Sequence, residues 1–130
     1  MRLPLINARF FSALCLSFVL VSPLSAQEVF IEEIHYAPYP KTLREEFVEI
    51  VNRGDDPVDL DGWSISGGVR FDFPAMTLDP GERLAIAQDV DALADRFGPG
   101  NYVGPFEGRL SNRGENVILR DERGFRVDVV

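Results

Sequence analysis

Short β-patterned segments separated by turn residues constrain the fold of this sequence more than any other feature. Five such segments, rich in β-branched and apolar residues, fall between clusters of Gly, Pro, Asp and Asn at residues 29–36, 46–52, 83–87, 116–120 and 125–130. Strands of this length, bounded by residues that form turns, are typical of antiparallel sandwiches. The pattern therefore predicts an all-β sandwich.

The middle of the sequence predicts a hairpin and several smaller features. Apolar residues alternate around the Gly67-Gly68 pair, at Trp63, Ile65, Val69, Phe71 and Phe73, as expected for two strands joined by a glycine turn. A brief strand is predicted at residues 58–60, and Leu110 is expected to close another. The glycines between residues 98 and 108 predict a loop in which Phe106 is exposed, whereas Trp63 and the other phenylalanines are expected in the core.

One short helix is predicted at residues 90–97. The Asp89 side chain can accept hydrogen bonds from the free backbone amides of a first helical turn, which is the role of an N-cap. The Gly98-Pro99-Gly100 sequence cannot continue a helix and is expected to end it.

The first 26 residues have the pattern of a secretory signal peptide. Arg2 and Arg9 are the only charges, residues 10–21 are mostly apolar, and Ser22-Pro23 precedes a small residue at Ala26. An apolar run of this length is short for a membrane-spanning helix, although an uncleaved membrane anchor is the alternative. We therefore expect a secreted or cell-envelope protein that meets the membrane only through this peptide, with a domain at residues 27–130.

Removal of this segment changes the composition that matters for folding and binding. The only cysteine, Cys15, is lost with it, and the net charge moves from −8 to −10. A domain without cysteine must be stable without disulfides. Its negative charge and single lysine disfavour nucleic acid as a partner. The one feature that favours nucleic acid is a run of arginines near the end: Arg109, Arg113, Arg120, Arg123 and Arg126.

The sequence contains few residues that could perform catalysis. His35 is the only histidine, and a lone strand histidine more often packs or forms hydrogen bonds than reacts. The segment around Ser64 and Ser66 lacks the Gly–Ser–Gly spacing and the following helix of a nucleophile elbow. We expect no catalytic residues and no enzymatic activity within these residues.

An acidic cluster is the only candidate for a bound cofactor, and its metal would be Ca²⁺. Asp55, Asp56, Asp59 and Asp61 precede Gly62, and Ca²⁺ is bound by oxygen ligands of this kind. The spacing does not fit a helix–loop–helix calcium loop, because Pro57 and Gly68 occupy the first and last ligand positions. The alternative is that these residues form turns around short strands, with no cofactor.

Six segments in order resemble the lamin tail domain family; they are residues 29–38, 46–52, 58–66, 78–84, 108–115 and 119–124. The resemblance implies an immunoglobulin-like β-sandwich with one short helix, found in bacteria in exported or surface proteins. It implies a binding or scaffolding module without catalytic residues. The structural positions it assigns are core aromatics and turn residues: Phe47, Trp63, Gly62, Gly81, Asn112 and Gly114.

The last strand-like segment suggests that the protein is longer than this sequence. Phe125, Val127 and Val129 alternate with polar residues up to Val130, whereas chains usually leave a fold through polar residues that can fray. A true terminus whose last strand closes a sheet is the alternative. The function we expect is a non-catalytic exported module that anchors or spaces other domains and binds a protein or cell-surface polymer. The second candidate is an accessory domain of an extracellular nuclease, phosphoesterase or kinase-like protein, with its catalytic part beyond residue 130.

Overall fold

A computed structural model of the protein describes residues 28–36, 43–111 and 113–130. The predicted signal peptide at residues 1–26 and the predicted turn residue Asn112 lie outside these ranges. Within them the chain forms a 3₁₀ turn at Leu43–Glu45, one helix, α1 (Val90–Phe97), and eleven strands. The strands are β1 (Val29–His35), β2 (Phe47–Asn52), β3 (Val58–Asp59), β4 (Ser64–Gly67), β5 (Val69–Asp72), β6 (Thr77–Leu78), β7 (Arg83–Ala87), β8 (Tyr102–Val103), β9 (Glu107–Gly108), β10 (Val117–Arg120) and β11 (Arg126–Val129).

The strands form two main sheets. One has four strands in the order β1-β2-β7-β8, and the other has five in the order β11-β10-β4-β5-β9. All neighbours are antiparallel except β7 and β8, which are parallel. Strands β3 and β6 form a separate two-stranded sheet. The predicted hairpin around Gly67-Gly68 is confirmed by the β4–β5 pair, in which Ile65 lies opposite Phe71.

The core lies between the two sheets because each contributes every second side chain. Val48 and Ile50 of β2 and Leu84 and Ile86 of β7 are fully buried. The opposite sheet contributes a matching set of buried side chains, namely Ile65, Val69, Phe71, Val117 and Leu119. This period of two places one face of each sheet in the core. The predicted all-β sandwich with one short helix is confirmed.

Several sequence expectations about small elements were wrong. The stretch predicted as a loop contains β8 and β9, β6 was not predicted, and Leu110 lies outside a strand. Phe106 is 3% exposed and belongs to the core, where its backbone N–H donates to the Ala87 carbonyl at 3.1 Å. Two-residue strands are too short to show a periodicity. Phe30, Phe97 and Phe125 are exposed instead of buried.

Asn52 is a buried polar residue that joins the end of β2 to the surrounding loops. Its side-chain amide donates to the carbonyls of Asp56 at 2.8 Å and Leu78 at 2.9 Å, and its Oδ1 accepts from the Gly54 N–H at 2.9 Å. The side chain is fully buried, and buried polar groups require such partners. Asn52 therefore holds the β3–β6 ladder against the four-stranded sheet.

We expect Asn52→Ala to lower the free energy of unfolding by about 3 kcal/mol, because the substitution leaves two carbonyls and an N–H without their partner. Urea denaturation monitored by circular dichroism measures the loss. Asn101→Ala is the matched control, since the Asn101 side chain also donates two hydrogen bonds but is exposed. An equal loss in both variants would contradict a special role for the buried amide.

Helix α1 has the predicted bounds and packs on the outer face of the four-stranded sheet. Asp89 is its N-cap, with Oδ1 accepting from the Ala92 N–H at 3.1 Å. Leu93, the buried residue of the helix, packs with Phe47, Ala85 and Ala87. The described ranges contain no helix that is long and apolar enough to cross a membrane.

The Asp89 cap makes the stability of the protein depend on pH. The hydrogen bond from the Ala92 N–H, followed by that from the Arg44 guanidinium, lowers the pKa of Asp89 below its ordinary value of 3.8. A lowered pKa stabilises the folded state at every pH above the ordinary value, and this stabilisation is lost as the pH falls through the folded-state pKa.

We expect Asp89→Ala to lower the melting temperature by about 5 °C at pH 7, because it removes the N-cap. The difference from the wild type should shrink steadily below pH 4, as the wild-type carboxylate also loses its charge. Differential scanning calorimetry across this pH range measures both effects. Asp95→Ala, in the last turn of the same helix, should leave the melting temperature nearly unchanged at pH 7.

Candidate binding face

The outer face of the four-stranded sheet is partly covered by α1, and the arginines beside the helix pair with carboxylates, although Glu33 lies opposite Glu49. Phe47, Val51, Ala85 and Ala87 are buried on this face, and α1 packs over three of them. Beyond the helix lies a network of two carboxylates and two arginines: Glu32 pairs with Arg53 and Arg83, and Arg83 also faces Glu49 at 3.6 Å. The hydrogen bond from Arg83 lowers the pKa of Glu32, whereas burial raises the pKa of Glu49.

The outer face of the five-stranded sheet is open, and we call it the open face. On β4, β5 and β10 its residues alternate with the core residues, whereas on β11 a register irregularity beside Arg120 separates Arg126 from Val129 by two residues. Each residue of this face is exposed or half-buried: Ser64, Ser66, Arg70, Asp72, Glu107, Ile118, Arg120, Arg126 and Val129. The two serines have small side chains, so the middle of the face is a shallow polar floor. The sheet therefore offers a solvent-accessible surface that extends across five strands.

A row of four residues crosses the open face from one strand to the next. Arg126 lies opposite Arg120, Arg120 opposite Ser64, and Ser64 opposite Asp72. Side chains at such positions are nearest neighbours across an antiparallel sheet. Two arginines therefore lie together on β10 and β11, with a hydroxyl in the middle of the row and, on β5, the Asp72 carboxylate 3.8 Å from Arg70.

The two arginines of this row lack an acidic partner. Arg120 donates to the Ser66 hydroxyl at 3.3 Å and to the Gly124 carbonyl at 3.1 Å, which fixes its guanidinium over the face. Among residues 28–36, 43–111 and 113–130, no carboxylate is within ion-pair distance of either Arg120 or Arg126. Two like charges directly opposite each other destabilise a sheet, so this pair is not explained by stability.

The Asp128 carboxylate closes the side of the sandwich next to these arginines. It accepts from the Ile31 N–H of β1 and from the Val129 N–H of β11, each at 2.8 Å. Because Val130 exchanges both backbone hydrogen bonds with Val117, the Val129 N–H points away from β10. Asp128 thus occupies one backbone donor on the edge strand of each sheet, and these donors are not available to an added strand.

We expect Asp128→Ala to lower the free energy of unfolding by about 1–2 kcal/mol, because two backbone donors lose their acceptor. The freed edges should also promote self-association, the usual hazard of unprotected edge strands. Urea denaturation and sedimentation velocity over a range of concentrations measure the two effects. Asp72→Ala, at an exposed position of β5, should change stability by less than about 0.5 kcal/mol and leave the protein monomeric to the same extent as the wild type.

The structure does not assemble the calcium site considered from the sequence. Asp55, Asp56, Asp59 and Asp61 are all exposed, and Asp59 Oδ1 accepts from the Asp61 N–H at 2.9 Å, as in a turn. Within the described part of the chain, no three His, Cys, Asp or Glu side chains converge as metal ligands. These four aspartates occupy turn and short-strand positions around β3.

The residues predicted as core aromatics and turn residues can be compared with their positions in the structure. Phe47 and Trp63 are buried, at 8% and 3% exposure. Gly62 and Gly81 each have a φ of 76° at the third position of a turn closed by a hydrogen bond, Leu60–Trp63 and Asp79–Glu82 respectively. This conformation favours glycine. Gly114 also has a positive φ, of 78°, while its predicted partner Asn112 lies outside the described residues.

His35 packs within an aromatic cluster. Its ring stacks on Phe47 with centroids 4.9 Å apart, and Phe97 contacts both rings edge-on. Its Nδ1 is 3.8 Å from a carboxylate oxygen of Glu33. The imidazole therefore links the end of β1 to the end of α1.

Sequence reasoning located the arginines near the end of the chain but not their arrangement. The structure places only Arg120 and Arg126 directly opposite each other; Arg123 lies 3.7 Å from Glu122 in the turn between their strands. Arg109 and Arg113 are exposed in the segment between β9 and β10. The buried Asn52 and the bridging Asp128 were also missed, because their roles depend on strand pairing.

Comparison with known proteins agrees with this architecture. No curated protein matches the chain. The sequence model of the family described as Lamin Tail Domain matches residues 22–130, a range that contains both sheets and the helix. The chain belongs to the lamin tail domain family, and its two-sheet sandwich is of the immunoglobulin-like kind found in that family.

Proposed function

We propose that this lamin tail domain is a non-catalytic binding and scaffolding module whose binding surface is the open face. The observation that carries the proposal is the difference between the two outer faces of the sandwich. One is partly covered by α1, and its arginines Arg53 and Arg83 pair with Glu32. The other is exposed and holds two arginines side by side without an acidic partner among the described residues.

The position of His35 supports a non-catalytic role. General acid–base catalysis needs an imidazole within hydrogen-bond reach of the group it protonates or deprotonates. The ring of this only histidine is instead packed between Phe47 and Phe97. Turnover of a nuclease, esterase or glycosidase substrate by the purified protein would overturn this part of the proposal.

The place of action follows from the signal-peptide pattern of residues 1–26. We propose that the protein is exported and acts at the cell envelope or outside the cell, where it anchors or spaces other domains by binding a surface partner. An exposed polar face suits such a role, since an extended partner can lie along it. Strand addition is disfavoured at the β1 and β11 edges, because Asp128 occupies donors that it would require.

Retention on isolated cell envelopes tests this function. We expect the fluorescently labelled protein to bind envelopes of the source cells saturably, and Ser64→Glu to weaken this binding about tenfold. The new carboxylate would stand opposite Arg120 and neutralise it. Thr77→Glu is the matched control, since it adds the same charge at an exposed site on β6 and should bind as the wild type does.

Two outcomes would contradict the proposal. One is the absence of saturable binding to envelopes by the wild-type protein. The other is an equal loss of binding in Ser64→Glu and Thr77→Glu, which would indicate a response to net charge and not to the open face.

A further inference from the structure

We propose that the open face binds a carboxylated polysaccharide, a chain of sugars in which some units are uronic acids. Arg120 and Arg126 would bind its carboxylates, and Ser64 and Asp72 would bind its hydroxyls. This inference rests on the proposed function of the open face and adds the chemistry of the partner.

The facing arginines Arg120 and Arg126 do not contribute to stability. Like charges directly opposite each other on a sheet are destabilising. The chain has 21 acidic residues and 13 basic ones, so there are enough carboxylates to give every arginine an acidic neighbour. Glu32, on the other outer face, has two arginine partners. Arg120 and Arg126, which have no acidic partner among the described residues, therefore place two positive charges side by side in an acidic protein, as expected of a site for an external anion.

The arginine pair has a geometry suited to carboxylates. A guanidinium binds a carboxylate through two parallel hydrogen bonds. Neighbouring strands lie about 4.8 Å apart, so the two guanidinium groups extend from adjacent strands over one surface. Arg120 is held by Ser66 and the Gly124 carbonyl, which reduces the entropy lost when a ligand binds. Arg126, at the exposed edge strand, is the more adaptable of the two.

The order of groups along the row suits a chain of acidic and neutral sugars. From β11 to β5 it runs Arg126, Arg120, Ser64 and Asp72. The arginines only donate hydrogen bonds, the serine hydroxyl donates and accepts, and the aspartate only accepts. A sugar chain with both carboxylates and hydroxyls can satisfy all of these groups.

The charge distribution favours this partner over a more densely charged one. Nucleic acid carries a negative charge about every 1.7 Å of duplex, and it would bring phosphates close to Asp72 and Glu107 on the same face. A polysaccharide with at most one carboxylate per sugar can place its charges over the arginines alone. A peptide that adds a strand is disfavoured at β1 and β11, where Asp128 occupies the edge donors.

Isothermal titration calorimetry with polygalacturonate as the probe tests the proposal. EDTA is present throughout, so that divalent cations cannot bridge the polymer to the protein. We expect saturable binding that disappears when the same polymer is fully methyl-esterified, because esterification removes the charge and keeps the sugar chain. Polyphosphate and poly-aspartate, at equal charge concentration, should bind more weakly than polygalacturonate.

Three variants locate the site. Arg126→Gln should weaken binding about fivefold, and it leaves the fold intact because Arg126 forms no ion pair or hydrogen bond among the described residues. Arg126→Glu should abolish measurable binding. Arg53→Gln is the matched control, since it removes the same charge from the opposite sheet and should leave binding unchanged. A melting temperature for each variant verifies folding.

The outcomes separate this inference from the proposed function. Binding that survives esterification, that is stronger for polyphosphate or poly-aspartate, or that falls equally in Arg126→Gln and Arg53→Gln would overturn it. Absence of polygalacturonate binding would also overturn it, while envelope retention sensitive to Ser64→Glu would leave the open face as a binding surface for another partner.

Discussion

The burial of inward-facing side chains between two sheets is the constraint on which the rest of the domain depends. The only cysteine, Cys15, precedes the domain, so apolar burial must offset the conformational entropy of the chain. Each fully buried Leu, Ile or Val contributes about 1.5–3 kcal/mol, and residues such as Ile50, Leu84, Ile65 and Leu119 are buried to 1% exposure or less. Because every second residue is committed to this core, the remaining residues of each strand must face outward. The two outer faces are thus a consequence of the core.

Short polar side chains form hydrogen bonds with backbone groups that this layered arrangement would leave unpaired. Asn52 satisfies two carbonyls and an N–H where β2 ends, Asp89 accepts from the first turn of α1, and Asp128 accepts from the edge strand of each sheet. An unpaired buried polar group costs about as much as a core methylene contributes, or more. These three residues therefore make the apolar core compatible with the irregular ends of the elements.

The two outer faces of the sandwich differ in how their residues contribute to stability. On the four-stranded sheet, α1 buries Phe47, Ala85 and Ala87, and Arg53 and Arg83 pair with Glu32. On the five-stranded sheet, strand pairing places Arg120 against Arg126, an arrangement that does not stabilise the fold. A domain that binds through such a face can vary its outward residues with little effect on the core, because the two sets alternate along the same strands.

The sequence by itself determined the elements whose signals are local. Alternation of apolar residues gave the longer strands and the β4–β5 hairpin, capping residues gave α1 to the residue, and a series of motifs gave the family. Two-residue strands such as β8 and β9 have no period to detect, so Phe106 was misplaced. Three features were not visible in the sequence: the arginine pair, the Asp128 bridge and the buried Asn52. Each one joins residues that are separated in sequence or depends on the direction in which backbone groups at a strand edge point. Only the tertiary structure decided these, because pairing register and sheet order bring together groups whose neighbours in the sequence say nothing about their neighbours in space.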